Sequence, residues 1–269
     1  MTSDRLRRAS WHDRWVLTIA HLSDSHVGAH PAAADRTRAV LAYVDALDPQ
    51  PEVVLLTGDL ADHGTVAEYR ELRALIGART ARSPLLLCPG NHDVRAAYAT
   101  VLRDLPAGRP DDPINEAHRI GGVKFCMLDS LVTAPPGERI DHGMLGSVSL
   151  EWLDRELASG EPTFVCLHHP PVDVHIDVMD PIGLRDADRL EAVLRRHDNV
   201  VATFAGHAHS ACAMTFADRP LLLPGGLVST VTLDAEPLPE FSSDLPPMFA
   251  VHFVGDDGQV VTHWRALPG

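Results

Sequence analysis

Val53-Val54-Leu55-Leu56-Thr57-Gly58-Asp59 is a short apolar run that stops at a glycine followed by an aspartate. A continuous apolar stretch of this length suits a strand buried on both faces, as in a sheet covered by helices. Upstream, residues 32–47 place Val40, Leu41, Val44 and Leu47 on one helical face. Before them, residues 15–22 form an earlier apolar run that ends abruptly at Ser23-Asp24-Ser25-His26. Downstream, residues 66–76 have helical spacing, and Leu85-Leu86-Leu87 leads into Pro89-Gly90-Asn91-His92-Asp93. Strand, loop and helix alternate, which predicts an α/β chain with a mostly parallel, buried sheet.

The pattern continues. Residues 123–128 read as a strand, 133–142 as a Pro/Gly-rich loop, and 149–157 as a helix with Trp152 and Leu153 facing inward. Residues 163–167 form a strand ending at His168-His169-Pro170-Pro171. Residues 185–196 are helical, and residues 200–205 run into Gly206-His207-Ala208-His209. Residues 1–13 read as a loose lead-in. Residues 14–269 read as a single domain, β-rich from about 211, with an acidic, Pro-rich loop at 236–247. Five strands thus end in Asp, His or Asn within turns rich in Gly or Pro. In a parallel sheet those ends share one side, where open α/β sheets bind ligands.

Composition narrows the chemistry. Apolar residues make up 45% of the 269, enough for a large core, and the formal charge is −14. So acidic a chain is expected to bind neither a nucleic-acid polymer nor an anionic membrane. A small anion remains acceptable where a metal supplies positive charge. Cys88, Cys126, Cys166 and Cys212 sit in or beside apolar runs without paired spacing, so they read as small hydrophobes. No apolar run is long enough to span a bilayer, and no signal core follows the N-terminal arginines. A cytoplasmic location is expected.

Asp24 and His26 alternate, so an extended strand end would point both to one side. Asp59 offers two oxygens, Asn91 a neutral carbonyl oxygen, and His168, His207 and His209 imidazoles. This nitrogen and oxygen set without thiolate suits two divalent or trivalent ions, iron or manganese foremost, with zinc or cobalt acceptable. Two such ions about 3.5–4 Å apart can clamp a phosphate and turn a water between them into hydroxide. Each motif alone has a bland reading, such as a turn glycine before a capping aspartate. All of them at strand ends, in this order, do not.

Asp24-x-His26, Gly58-Asp59, Gly90-Asn91-His92-Asp93, His168-x-Pro170 and Gly206-His207-x-His209 together resemble the calcineurin-like metallophosphoesterase superfamily. The resemblance covers about residues 15–225. Within the superfamily the chain looks most like class III cyclic-nucleotide phosphodiesterases and their glycerophosphodiesterase relatives, on His168-His169-Pro170-Pro171 and the segment from Asp129 to Trp152. It implies a four-layer αββα sandwich. One ion would take Asp24, His26, Asp59 and His209, the other Asp59, Asn91, His168 and His207. His92 would contact the phosphate and protonate the leaving oxygen. Asn91 would also touch the substrate, and His169 would either back the ligands or face the substrate rather than bind metal. Asp62 and His63 are neighbours without an assigned role.

The resemblance implies hydrolysis of small phosphodiesters, with 3′,5′- or 2′,3′-cyclic nucleotides as substrates or, alternatively, glycerophosphodiesters. A nuclease would need a basic track, and a non-catalytic scaffold would be expected to lose ligands or His92. A homodimer is compatible with the sequence. No Arg or Lys stands obviously beside the motifs, Arg95 being the nearest candidate, so diesters are expected to be preferred over dianionic monoesters.

Overall fold

The computed structural model describes residues 17–81, 83–135 and 137–267; the expected lead-in at 1–13 lies outside them. Two sheets face each other. The first has the order β13-β12-β1-β2-β3, in which β1 (Leu17–Leu22), β2 (Val53–Thr57) and β3 (Leu85–Cys88) are parallel. Strands β12 (Met248–Val254) and β13 (Val260–Ala266) add to it antiparallel. The second has the order β4-β5-β6-β7-β9-β8. Its parallel centre is β5 (Val123–Met127), β6 (Thr163–Cys166), β7 (Val200–Phe204) and β9 (Arg219–Pro224). Strands β4 (Glu116–Ile120) and β8 (Ala211–Phe216) close its edges antiparallel.

Helices cover both outer faces, which makes four layers. Side chains alternate across β1: Ala20 and Leu22 meet Val40, Leu41 and Val44 of α1 (Ala33–Asp45), Tyr69 and Leu72 of α2 (Val66–Gly77), and Tyr98 of α3 (Arg95–Leu102). Leu17 and Ile19 point the other way, into an inter-sheet core with Leu55, Phe125, Phe164 and Phe204. On the far side, Leu153 and Leu157 of α4 (Gly146–Leu157) and Leu190 and Val193 of α5 (Ala187–Leu194) cover Val165 and Leu221. Burial on both faces explains why these strands read as unbroken apolar runs.

The four-layer αββα sandwich that the resemblance implied is present, whereas the strand pattern alone pointed only to a mostly parallel, buried sheet. Doubly buried strands look alike in sequence whichever sheet they join, so the pattern could not divide them. Helix α3 and strand β4 form where the sequence suggested no element. The loop expected at 236–247 contains a two-residue strand, β11 (Phe241–Ser242), paired with β10 (Thr230–Val231). Of the pair expected to face inward on α4, Leu153 is fully buried and Trp152 only partly. The four cysteines are free. No helix among the described residues is long and apolar enough to cross a membrane.

Candidate metal centre

All the expected site residues lie in loops directly after strands, three loops from the first sheet and two from the second. Asp24 and His26 follow β1, Asp59 follows β2, and Asn91 and His92 follow β3. His168 and His169 follow β6, and His207 and His209 follow β7. The loops are laced together by the backbone. Asp24 N donates to Gly58 O at 3.2 Å, His26 N to Asp59 O at 2.9 Å, and Gly206 N to His168 O at 2.8 Å. Thr57 O bridges the sheets, accepting from Ser23 Oγ at 2.8 Å and His168 Nδ1 at 2.7 Å.

The expectation that Asp24 and His26 sit on an extended strand end is not met. Asp24 (φ 58°), His26 (37°), Asp59 (47°), His207 (68°) and His209 (50°) all have left-handed backbone. Such conformations cost non-glycine residues about 1–3 kcal/mol each and persist only when the surroundings fix them. The bends turn side chains from three of the five loops toward the point where the others meet them. Gly58 has φ 89° and carries the loop close under His168, where a Cβ would strike the imidazole. Gly90 lies against Asp59, where a Cβ would overlap the carboxylate and fall 2.5 Å from the Asp59 amide nitrogen.

Donor atoms converge as a consequence. Asp24, His26 and His209 form one buried group within 4.8 Å, and Asp24, Asp59 and His168 another. His26 Nε2 lies 3.1 Å from His209 Nε2 and 3.4 Å from Asp59 Oδ2. His168 Nε2 lies 3.2 Å from His207 Nδ1 and 3.3 Å from Asp59 Oδ2. The outward nitrogens are tied down. His26 Nδ1 meets Asp62 Oδ1 at 3.0 Å, His168 Nδ1 donates to Thr57 O, and His209 Nδ1 meets Ser229 Oγ at 3.0 Å. Partners of this kind fix the tautomer and aim the other nitrogen inward, as around bound metals.

His169 belongs to the surroundings. Its Nδ1 meets Ser130 Oγ at 2.8 Å and its Nε2 meets Asp141 O at 3.2 Å, so both nitrogens are engaged, although the ring adjoins His168 and His207. Asp93, buried behind the cluster, accepts from Gly90 N at 2.8 Å, Leu60 N at 3.1 Å, Ala61 N at 3.2 Å and Tyr69 Oη at 2.8 Å. One carboxylate thereby pins the loops after β2 and β3 to each other.

Protonation suits metal binding at Asp59, His207 and His209, while at His168 and His26 burial is outweighed by neighbouring carboxylates, which hold protons that an ion would displace. Burial works against the Asp59 carboxylate, yet the His168 and His26 charges hold its pKa well below the usual range. Burial, with neighbouring imidazoles, pushes His207 well down; burial also brings His209 to about 4, although Asp24 opposes it. His168 goes the other way, to about 9, because Asp59 and Asp24 more than offset its burial. Neutral imidazoles at His207 and His209 beside an ionised Asp59 are the forms that ligate.

Two buried atoms inside this set have no hydrogen-bond partner among the described residues: Asn91 Oδ1 and His207 Nε2. Stranded acceptors and facing imidazole nitrogens are costly unless a cation completes them. The residues present therefore fit a metal centre of mixed nitrogen and oxygen donors.

A cleft of about 480 Å³ opens above the cluster, lined by His26, Asp59, Asn91, His92, His207 and His209. His92 Nδ1 is 2.8 Å from Asp62 O and so carries the proton, which leaves Nε2 facing outward. Burial lowers its pKa. The cleft also contains residues that sequence reasoning did not single out: Arg139 and Asp141 on one side, Met179, Ile182, Val228 and Phe241 on the other. Only tertiary placement brings them here; nothing in the 133–142 loop marked Arg139. The expectation that no Arg or Lys stands beside the motifs is thus overturned. Arg95, the candidate in the sequence, is instead spent on a buried ion pair with Asp129, Nε to Oδ2 2.6 Å.

A buried cluster of this composition, set at the strand ends of two facing sheets, defines a metal-dependent hydrolase of phosphoric esters. The family model described as calcineurin-like phosphoesterase matches residues 17–211, and the chain belongs to that family. It is 35% identical over 226 residues to the cAMP/cGMP dual specificity phosphodiesterase of Mycobacterium tuberculosis, covering 80% of this chain and 68% of that one. It is 28% identical over 251 residues to glycerophosphodiester phosphodiesterase GpdQ of Enterobacter lignolyticus, covering 88% and 86%. A dimetal phosphatase from Danio rerio has the same fold, with a TM-score of 0.71, 16% identity and coverage of 94% and 96%.

Proposed function

We propose that the chain is a binuclear phosphodiesterase acting on small phosphodiesters, cyclic nucleotides among them. Asp24, His26, Asp59 and His209 would hold one ion, and Asp59, Asn91, His168 and His207 the other. The observation that carries the reading is the inward convergence of imidazole nitrogens whose outer nitrogens are anchored, together with the stranded Asn91 Oδ1 and His207 Nε2. Divalent ions in such a site neutralise phosphate charge and acidify water. Manganese and iron match the donor set.

The chain's own residues orient and protonate. His92 N donates to Asp59 Oδ1 at 2.9 Å, which ties the ring's position to the metal carboxylate. Its Nδ1–H is committed to Asp62 O, so the proton available to a leaving alkoxide is the one on Nε2. Asn91 lines the cleft beside it and can reach the phosphate.

The choice of diester rests on the relatives and on the cleft wall, not on the absence of a cation. Met179, Ile182, Val228 and Phe241 offer an apolar side suited to a nucleobase, and glycerol has no use for it. Phe241 is 55% exposed and available for stacking. Metal-loaded protein should be tested on bis-nitrophenyl phosphate, nitrophenyl phosphate, cyclic nucleotides and glycerophosphodiesters. Turnover of the diester above the monoester, with cyclic nucleotides cleaved, is expected. Monoester turnover equal to or above the diester's would overturn the assignment. Glycerophosphodiesters cleaved with cyclic nucleotides untouched would move the substrate to the second relative's class.

A further inference from the structure

Arg139 is the one Arg or Lys among the described residues lining the cleft. It stands between this cleft and a neighbouring one of about 580 Å³; both are also lined by Asp62, Asn91 and His92. Its Nε donates to Asp141 Oδ1, and Asp141 Oδ1 also accepts from Asn91 Nδ2 at 3.4 Å. The guanidinium is therefore fixed relative to a candidate ligand.

Its other face has no comparable partner among the described residues. Arg139 Nη1 lies 3.2 Å from His92 Nδ1. That nitrogen already carries the proton it gives to Asp62 O at 2.8 Å, so it cannot accept a second one from the arginine. Asp141 thus holds one edge of the planar fork, while Nη1 rests against a ring nitrogen that cannot accept its proton. A fork of this kind matches two oxygens of a phosphoryl group. A diester has two non-bridging oxygens and one charge, and the metal centre can engage both. Its hydrolysis product, a monoester, has a third terminal oxygen and a second charge.

We propose that Arg139 is a specificity residue that reads this additional oxygen, so that the site holds phosphomonoester dianions, including its own product, more tightly than diester monoanions. The proposal rests on the phosphoesterase reading of the site. Arg139 performs no covalent step; it donates hydrogen bonds from Nη1 and Nη2 beside His92. The consequence is product inhibition by nucleoside monophosphates and by inorganic phosphate, set by a loop residue outside the metal set.

Calorimetry on manganese-loaded protein can test this with phenylphosphonate, a dianion with no ester to cleave, against its monomethyl ester, a monoanion. Charge-assisted bonds from a half-exposed guanidinium should make Arg139→Gln weaken phenylphosphonate binding by about tenfold. The monomethyl ester should change less than about twofold. Arg139→Lys, which keeps the charge and loses the fork, should fall between. The same ordering should appear in the inhibition of bis-nitrophenyl phosphate hydrolysis by phosphate. Equal weakening of both ligands, or of neither, overturns the assignment of Arg139 while leaving the diesterase reading intact. Discrimination by Arg139 in a protein that cleaves no diester sinks the diesterase reading alone. If neither ligand binds in a metal-dependent way, both fall.

Discussion

Acid should loosen the interface between the two sheets through His252. This ring is fully buried between the sheets, stacked on Phe204 at 4.6 Å, with Nδ1 2.9 Å from Thr262 Oγ1 and Nε2 3.3 Å from His21 Nδ1. Burial drives its pKa from 6.5 to about 3. His21, buried beside it and bonded to Thr57 Oγ1 at 3.0 Å, is lowered too, by burial and then by His252. The sign follows from which state takes up protons. Below pH 6.5 the unfolded chain protonates His252 and the folded chain does not, so stability falls as pH falls, until the folded ring titrates near 3. At about 1.4 kcal/mol per pH unit, His252 alone removes about 2 kcal/mol by pH 5 and about 4 kcal/mol by pH 3, where the folded ring is half protonated. Urea unfolding of chelator-treated protein at pH 8 and pH 5 would measure the loss without metal release contributing. His252→Phe should cost about 2 kcal/mol at pH 8 through the partners it strands. It should also lose about 2 kcal/mol less than the parent between the two pH values. An unchanged pH dependence in His252→Phe would refute the account.

Removing the central carboxylate should be worse than removing a terminal one. Asp59→Ala is expected to empty both metal positions and Asp24→Ala mainly one, read by elemental analysis; full occupancy in Asp59→Ala would rule out a bridging role. Loss of the imidazole in His92→Ala should leave metal content near the parent's. The rate should drop by roughly 10²–10⁴-fold for diesters with poor leaving groups and less for activated nitrophenyl esters; equal losses would mean that His92 only positions phosphate. Gly90→Ala, whose Cβ collides with Asp59, should lower metal content and activity at least tenfold, on the order of a small displacement of a positioned group. Retained occupancy in that variant would show that the loop can yield. For Asp93→Asn, whichever oxygen becomes the amide nitrogen, two of the four donors lose their acceptor, and a loss of about 2–4 kcal/mol is expected in denaturant unfolding.

Much of the site was legible because its chemistry is carried by residue types placed at strand ends. Asp24, His26, Asp59, Asn91, His168, His207 and His209 could be singled out from five short motifs, and the structure gathers all of them. The means of gathering was not legible. Alternation suggested extended backbone for Asp24 and His26, but neighbouring loops impose left-handed bends that no local pattern announces. The helices α1, α2, α4 and α5 showed themselves by apolar spacing, and most central strands by unbroken burial. That same uniformity hid the division into two sheets. Arg139, Asp141, Ser229 and Phe241 escaped notice because loop residues acquire a role only from what they face. Arg95 misled for the converse reason, since its position next to the motif says nothing of the Asp129 carboxylate that claims it.

Strand β1 carries a debt in time. It lies between β2, formed from residues soon to follow, and β12, whose His252 meets His21 from 231 residues away. While the ribosome is still making the middle of the chain, one edge of β1 has no partner. That exposed ladder, flanked by the apolar runs of β2 and β3, is a surface for wrong pairing during synthesis. The loop bearing Asp24 and His26 hangs from the same strand, and Val228 and Leu227 close on it from the C-terminal third through bonds of 3.1 Å to Asp24 O and Ser23 O. A nascent chain therefore holds nearly all the side chains we assign to the metal centre before it can set them. An ion that arrived before residues 227–228 docked would meet a loop those bonds had yet to fix.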